Sequence, residues 1–206
     1  MTPTARVLIL GLCLGGCQVP LGPGAGDLSI QSAHQDDAVL HGRYETAVYR
    51  YLSPTSVDVV MVEGSLENPT QALHLHLFWK PLAGRTPFDR HATNSTLRYM
   101  NFTGHGAGLY RGGGFLFPKT DLGLNVFEGE LRHATLRLSE QTNHFDQRAD
   151  GALLGDRVLV SGSFFARRDD RAVETLLRRL RLHFNAYLKR QRVSDKPATP
   201  AAGPVG

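Results

Sequence analysis

The sequence contains only two cysteines, and no cysteine follows Cys17. A disulfide framework and a cysteine–histidine catalytic pair are therefore excluded from the body of the chain. The net charge is also small. The chain has 23 lysines and arginines and 19 aspartates and glutamates, which gives a net charge of +4. That balance is too mild to indicate nucleic-acid binding.

Long apolar runs are also missing. The most apolar stretch, residues 7–14, is far shorter than the roughly 20 residues that a membrane-spanning helix needs. With 41% apolar and 20% charged residues, the chain has the composition of a globular protein. We therefore expect a single folded domain, over residues 28–192.

The residues around Cys17 form a specific pattern. One positive charge, Arg6, precedes the apolar stretch, which ends in Leu14-Gly15-Gly16-Cys17. This arrangement resembles the signal peptide and lipobox of bacterial lipoproteins, in which a Leu, two small residues and a Cys direct lipid transfer to the sulfur. The resemblance implies a signal peptide at residues 1–16 and lipidation of Cys17. An ordinary secretory signal is the alternative.

The resemblance also implies a destination for the protein. Lipoproteins of two-membrane bacteria tend to stay in the inner membrane when Asp follows the cysteine, and here that residue is Gln18. We therefore expect a lipid-anchored cell-envelope protein, at the outer membrane and facing the periplasm. Residues 17–27, rich in Pro and Gly, are expected to form a flexible tether, and residues 193–206 a disordered tail.

Between these segments the dominant sequence period is two, which is typical of β-strands. Strands are expected over 44–52, 57–62, 72–79, 95–103, 113–117, 122–127, 131–138 and 157–166. Since no helical pattern separates them, the sequence favours an antiparallel sheet over a βαβ fold. It predicts a mainly β domain, an antiparallel β-sandwich or open barrel, with one C-terminal α-helix packed on the sheet.

The C-terminal helix is expected over residues 170–190, with Asp169 or Asp170 as its N-terminal cap. Its apolar arc consists of Val173, Leu176, Leu177, Leu180, Phe184, Tyr187 and Leu188. The opposite face carries Arg171, Arg178, Leu182 and Lys189. This basic face has two interpretations: a solvated surface, or a surface that contacts anionic lipid head groups or an acidic partner.

Two histidines, His74 and His76, occupy positions i and i+2 of an expected strand, so their side chains point to the same face. Some β-barrel metalloenzymes present two imidazoles to one metal ion in this way. The candidates for a third ligand are His91, His105, His133 and His144. The alternative is that both histidines occupy the wetter face of a half-exposed strand.

Six glycines crowd residues 104–114, yet neither common phosphate-binding glycine motif is met. A flexible or bulged connection is expected there, from which Tyr110 and Arg111 would reach a ligand. The segment Ser161-Gly162-Ser163 lacks the frame of a nucleophile elbow and is interpreted as a small-residue patch that lets another element pack close.

These patterns favour a non-enzymatic lipoprotein that acts as a binding or interaction module. The expected partners are the membrane, through the lipid anchor, and an envelope protein, peptidoglycan or anionic lipid, but not nucleic acid. No cofactor is expected. Two alternatives stay open: a metal-dependent or other hydrolase that uses His74 and His76, and a structural component of an outer-membrane assembly.

Overall fold

Eight strands form a closed antiparallel barrel, and one helix lies against its outside. A computed structural model describes residues 24–34, 39–81, 92–103, 106–142, 148–149 and 152–194. The barrel strands are β1 Gly24–Ser32, β2 Val39–Ser53, β3 Ser56–Gly64, β4 Pro69–Leu77, β5 Ser95–Phe102, β6 Ala107–Pro118, β7 Val126–Gln141 and β10 Arg157–Arg168. A small ribbon consists of β8 Arg148–Ala149 and β9 Ala152–Leu153, and the helix α1 spans Asp170–Ser194.

The barrel closes through β10. This strand pairs with β7 on one side and with β1 on the other, and β1 pairs in turn with β2. The remaining neighbours follow in chain order from β2 to β7. Closure removes the unpaired edges that an open sheet would expose. The mainly β fold with one C-terminal helix is therefore confirmed, whereas the expected sandwich or open barrel is corrected to a closed barrel.

The first strand begins inside the predicted tether, which is expected to end at residue 27. Residues 24–27 belong to β1 and pair with β2 and β10. A Cβ at Gly24 would lie 2.2 Å from the carbonyl oxygen of Ala47, and one at Gly26 would lie 2.8 Å from the sulfur of Met61. These glycines thus permit close strand packing rather than flexibility.

The glycine-rich segment is a strand rather than a flexible connection. Most of it belongs to β6, which runs against β7 so closely that a Cβ at Gly114 would lie 2.4 Å from the Cβ of Ala134. Register shifts between Leu109 and Tyr110 and between Gly113 and Phe115 confirm the bulged part of the expectation. The predicted strand 131–138 is confirmed as part of β7, whereas the predicted strand 122–127 is corrected, because only its last two residues belong to β7, which begins at Val126.

The barrel interior is filled by alternate side chains of the strands, including the three leucines of β4. Three of its largest members are Tyr44, Tyr99 and Tyr110, all fully buried. Tyr99 donates a hydrogen bond to Oε1 of Gln71 at 2.9 Å, and Tyr110 donates to the carbonyl of Gly155 at 3.1 Å. Burial raises the pKa of Tyr110 to about 12, so its hydroxyl remains a donor at neutral pH.

The helix α1 covers an apolar patch on the outer face of the barrel. Its buried side chains are Val173, Leu176, Leu180 and Phe184, and those of the barrel are Val60, Val62, Ala72, Met100, Phe102, Ala107 and Leu109. The Asp169 carboxylate caps the helix by accepting a hydrogen bond from the Ala172 N–H at 2.8 Å. The predicted helix faces are confirmed, and the helix extends to Ser194. Among the described residues, no helix is both long and apolar enough to cross a membrane.

Leu180 and Leu182 test this packing, because they lie on opposite faces of α1 with 4% and 63% of their surface exposed. We expect Leu180→Asp to lower the free energy of unfolding by several kcal/mol, since it buries an unpaired carboxylate. Leu182→Asp should stay within about 0.5 kcal/mol of wild type. Urea unfolding followed by circular dichroism measures both. Equal losses would mean that both faces of the helix are buried.

Candidate functional site

Polar side chains on the outer face of three neighbouring strands converge on one buried carboxylate, that of Asp58. Asp58 lies on β3, within the apolar sequence V-D-V-V-M-V, and only 5% of its surface is exposed. Arg50 on β2 and His76 on β4 are its cross-strand partners. His74 lies two residues before His76 and therefore on the same face.

Each of the three partners donates a hydrogen bond to Asp58. Arg50 Nη2 lies 2.5 Å from Oδ2 of the carboxylate. His76 Nδ1 and His74 Nε2 lie 2.7 Å and 3.3 Å from Oδ1. Because an ionised carboxylate can only accept hydrogen bonds, these contacts place a proton on Nδ1 of His76 and on Nε2 of His74. The expectation that the two histidines share a face is confirmed, and the carboxylate holds them there.

Asp58 is ionised at physiological pH. Burial by itself raises the pKa of its carboxyl group, but the hydrogen bonds from His74, Arg50 and His76 outweigh burial and hold that pKa well below its usual range. A buried carboxylate lowers stability unless it is paired and hydrogen-bonded. Its partners come from both neighbouring strands, so the cluster ties β2, β3 and β4 together.

Among the described residues, no third metal ligand is placed to join His74 and His76. His133 lies on β7, which is three strands away from β4. The other candidates, His91, His105 and His144, lie outside the described residues. Within the described ranges, no three His, Cys, Asp or Glu side chains are placed to hold a metal ion. The arrangement around Asp58 is that of a hydrogen-bonded ionic cluster.

A groove lies beside this cluster, between α1 and strands β4 to β7, with a volume of about 290 Å³. Its apolar lining consists of Met100, Leu109, Leu177 and Phe184. Its polar lining consists of His74, Arg98, Arg111, Glu140, Arg181 and Asn185. An apolar surface with a few converging polar groups is the usual character of a binding site.

Positive charge predominates among the polar groups of the groove. Arg111 Nη2 pairs with Glu140 Oε1 at 2.5 Å. No carboxylate in the described part of the chain forms an ion pair with Arg98 or Arg181. Arg98 lies directly opposite Arg111 across β5 and β6. Glu140 offsets the charge of Arg111, whereas Arg98 has no such partner among the described residues, so an additional anionic group beside Arg98 would be favourable.

Tyr110 and Arg111, which are expected to reach one ligand together, point to opposite faces of β6. Tyr110 points into the barrel interior, whereas Arg111, next along β6, points outward to the groove.

Three residues of the site were not predicted from the sequence: Asp58, Arg98 and Arg181. Asp58 has a readable signal, because a lone carboxylate in an apolar strand needs partners. The arginines have none, since strand register decides which of them meet.

The other predicted contact residues lie apart from the groove. Arg171, Arg178, Leu182 and Lys189 are all on the exposed face of α1, as expected from the helical pattern. Whether this face binds anything stays a prediction. Cys17 lies outside the described residues, so its lipidation also stays a prediction.

Comparison with known proteins adds no functional information. The sequence matches no protein-family model, and it matches neither a curated protein nor a solved structure. Function must therefore be argued from the chemistry of the site.

The charge of Asp58 predicts a pH dependence of stability. The pKa of the Asp58 carboxyl group is lowered in the folded state. The ionised group therefore contributes to the free energy of unfolding above the pKa that it has in the unfolded chain, about 4. This contribution is lost as the pH falls from there toward the pKa of the folded state. We expect Asp58→Asn to lower the free energy of unfolding by about 2 kcal/mol near pH 5, and by less near pH 2.5. Urea unfolding at both pH values measures the difference.

The matched control for this experiment is Asp27→Asn, because Asp27 is an exposed carboxylate on β1. We expect it to change stability by less than about 0.5 kcal/mol at either pH. A loss for Asp58→Asn that is the same at both pH values would contradict an ionised, hydrogen-bonded Asp58.

Proposed function

We propose that this chain is a lipid-anchored envelope protein that binds an acidic, partly apolar segment of a partner protein in the groove between α1 and the barrel. The observation that carries the proposal is the charge of the groove. Arg98 and Arg181 have no carboxylate partner among the described residues, and both adjoin an apolar surface. The anchor part of the proposal is supported by the lipobox resemblance at Cys17.

The two parts of the groove suit two parts of such a ligand. A guanidinium group forms charge-assisted, often bidentate hydrogen bonds with a carboxylate. An apolar side chain next to that carboxylate would lie on Met100 and Phe184, and methionine adapts readily to differently shaped ligands. Glu140 holds Arg111 in place and would repel a second acidic group near it. The groove therefore favours a mixed acidic and apolar segment over a highly charged one.

The position of the groove favours a protein segment over a bilayer surface. Four residues that line the groove lie within β5 and β6, namely Arg98, Met100, Leu109 and Arg111. The groove therefore opens on the side of the barrel, next to α1. A recess of this kind admits a single chain more readily than a flat lipid surface. The hydrolase alternative has no specific observation in its favour, since neither imidazole bonded to Asp58 has a hydrogen bond to a described Ser or Thr hydroxyl.

Anilinonaphthalene sulfonate tests the groove, because this dye is both anionic and apolar. We expect Arg98→Glu and Arg181→Glu each to weaken dye binding about tenfold or more, equivalent to about 1.4 kcal/mol, since each replaces an attracting charge by a repelling one. Fluorescence titration measures the affinity, and circular dichroism verifies that each variant is folded. Raising the salt concentration should weaken binding to the wild-type protein.

Arg178→Glu is the matched control, because it makes the same charge change on the exposed face of the same helix. Dye binding should be nearly unchanged in this variant. If Arg178→Glu weakens binding as much as Arg181→Glu, the anion site lies on the exposed helix face instead. If the wild-type protein does not bind the dye, the groove is not a site for anionic apolar ligands.

Crosslinking in intact cells tests whether a protein occupies the groove. A photo-crosslinking residue at position 177 should yield an adduct with a single envelope protein, because Leu177 lines the groove. The same residue at position 182, on the exposed face, should not yield that adduct. Adding Arg98→Glu should abolish the adduct from position 177. An adduct that persists despite this charge reversal would contradict the proposed recognition.

The anchor is tested by Cys17→Ser, with Cys13→Ser as the control within the expected signal peptide. We expect Cys17→Ser to move the protein out of the membrane fraction or to leave it as uncleaved precursor. The reason is that each acyl chain contributes about 0.8 kcal/mol per buried CH₂, and a lipoprotein carries at least two chains. Cell fractionation measures the outcome, and Cys13→Ser should behave like wild type. Equal membrane association of Cys17→Ser and wild type would exclude the anchor.

A further inference from the structure

Exposed apolar side chains are concentrated at one end of the barrel. The large exposed ones among the described residues are Leu52, Leu66, Phe78, Leu124, Phe165 and Leu182. Leu52, Phe78 and Leu124 are 44%, 40% and 53% exposed. Leu52 lies near the end of β2, next to the β2–β3 connection, and the other two lie in the connections β4–β5 and β6–β7. In an antiparallel barrel these three connections lie at the same end, which we call the apolar end.

Contacts among the connections hold the apolar end in place. Tyr49 donates a hydrogen bond from inside the barrel to the carbonyl of Leu124. Arg168, at the end of β10, donates to the carbonyl of Gly123 at 3.0 Å. Lys80, after β4, pairs with Asp121 at 2.5 Å and so joins the β4–β5 connection to the β6–β7 connection. The Leu124 side chain is therefore presented outward by a fixed backbone.

The first strand enters the barrel near the apolar end. Gly24 lies beside Ala166, two residues before Arg168, and the exposed Phe165 pairs with Ala25. Residues 18–23 are the six residues between Cys17 and Gly24. Even a fully extended chain of this length spans only about 25 Å. A surface that holds Cys17 is thus within reach of the apolar end.

We infer that the apolar end is a membrane-contact surface, with Leu52, Phe78 and Leu124 inserted among the lipid head groups and the first acyl carbons. The inference rests on the proposed anchor at Cys17 and adds the orientation of the barrel on the membrane. Apolar side chains at a bilayer interface favour binding in proportion to the surface that they bury. A short tether makes this contact intramolecular, so weak individual insertions are sufficient.

This orientation separates the apolar end from the groove. The helix α1 starts next to the apolar end, at Asp170, and runs toward the opposite end, where the Tyr187 hydroxyl donates a hydrogen bond to the Thr103 carbonyl at 3.4 Å. The groove is lined by the middle and later part of the helix, at Leu177, Arg181 and Phe184. It therefore stands away from the membrane, where a partner protein has access to it.

The test uses the full lipidated protein in vesicles of phosphatidylethanolamine and phosphatidylglycerol. Single cysteines are introduced by Leu52→Cys, Leu124→Cys, Leu66→Cys and Leu182→Cys and are labelled with a nitrobenzoxadiazole dye. Leu66 is the matched control, since it is 38% exposed but lies in the β3–β4 connection at the opposite end. Mass spectrometry of the N-terminal peptide independently measures acylation of Cys17. Vesicles with doxyl-labelled phosphatidylcholine quench only dyes that contact lipid.

We expect labels at positions 52 and 124 to shift to shorter wavelengths and to lose most of their fluorescence in doxyl vesicles, while labels at 66 and 182 lose almost none. Equal quenching at 66, or no quenching at 52 and 124, would overturn the inference. Quenching at 182 instead would assign membrane contact to the basic helix face. A wavelength shift at 124 without quenching would mean that a second copy or another protein covers this end, which also overturns it.

The two measurements distinguish failure of the inference from failure of the anchor. An acylated Cys17 without quenching at position 124 would exclude the membrane-contact surface and leave the anchor intact. Quenching at position 124 without acylation would exclude the anchor and support the surface.

Discussion

Closure of the sheet by β10 is the constraint on which the other features depend. At Gly162 the backbone has a φ of +145°, and a Cβ there would lie only 2.2 Å from the carbonyl oxygen of Asp27, so only glycine lets β1 approach this strand. The end of β10 leads directly into the cap at Asp169, and the Asp169 N–H donates to the Tyr49 carbonyl at 3.0 Å. The strand that closes the barrel thus also sets where α1 begins and which face of the barrel it covers.

The local elements were predictable from the sequence, and the closure was not. Alternation identified strands at the positions of β2, β3 and β4, and the helical period identified the buried face of α1, because burial on one side leaves a periodic trace. The first strand was missed because Gly24 and Gly26, which allow close packing, also resemble a linker. Closure depends on pairing between residues more than a hundred positions apart, such as Ile30 and Val160, and leaves no local pattern.

The site was predictable only where a single strand determines it. The shared face of His74 and His76 follows from strand alternation, but their partner Asp58 and the opposition of Arg98 and Arg111 depend on how neighbouring strands align. The groove needs the helix as well, because Arg181 belongs to α1. A groove assembled from four strands and a helix is therefore visible only after folding, whereas the pattern around Cys17 is local and can be read from the sequence directly.

The pairing of the first strand with the last has a consequence for how the chain matures. Strand β1 completes its pairing with β10 only when residues 157–168 are present, and the apolar patch beneath α1 stays uncovered until the residues that follow are present as well. The native contacts of highest sequence separation thus form last, and this topology makes folding slow. A chain delivered from its N-terminus would expose unpaired strand edges throughout delivery. Until its last strand and its helix are present, such a chain can aggregate through these edges.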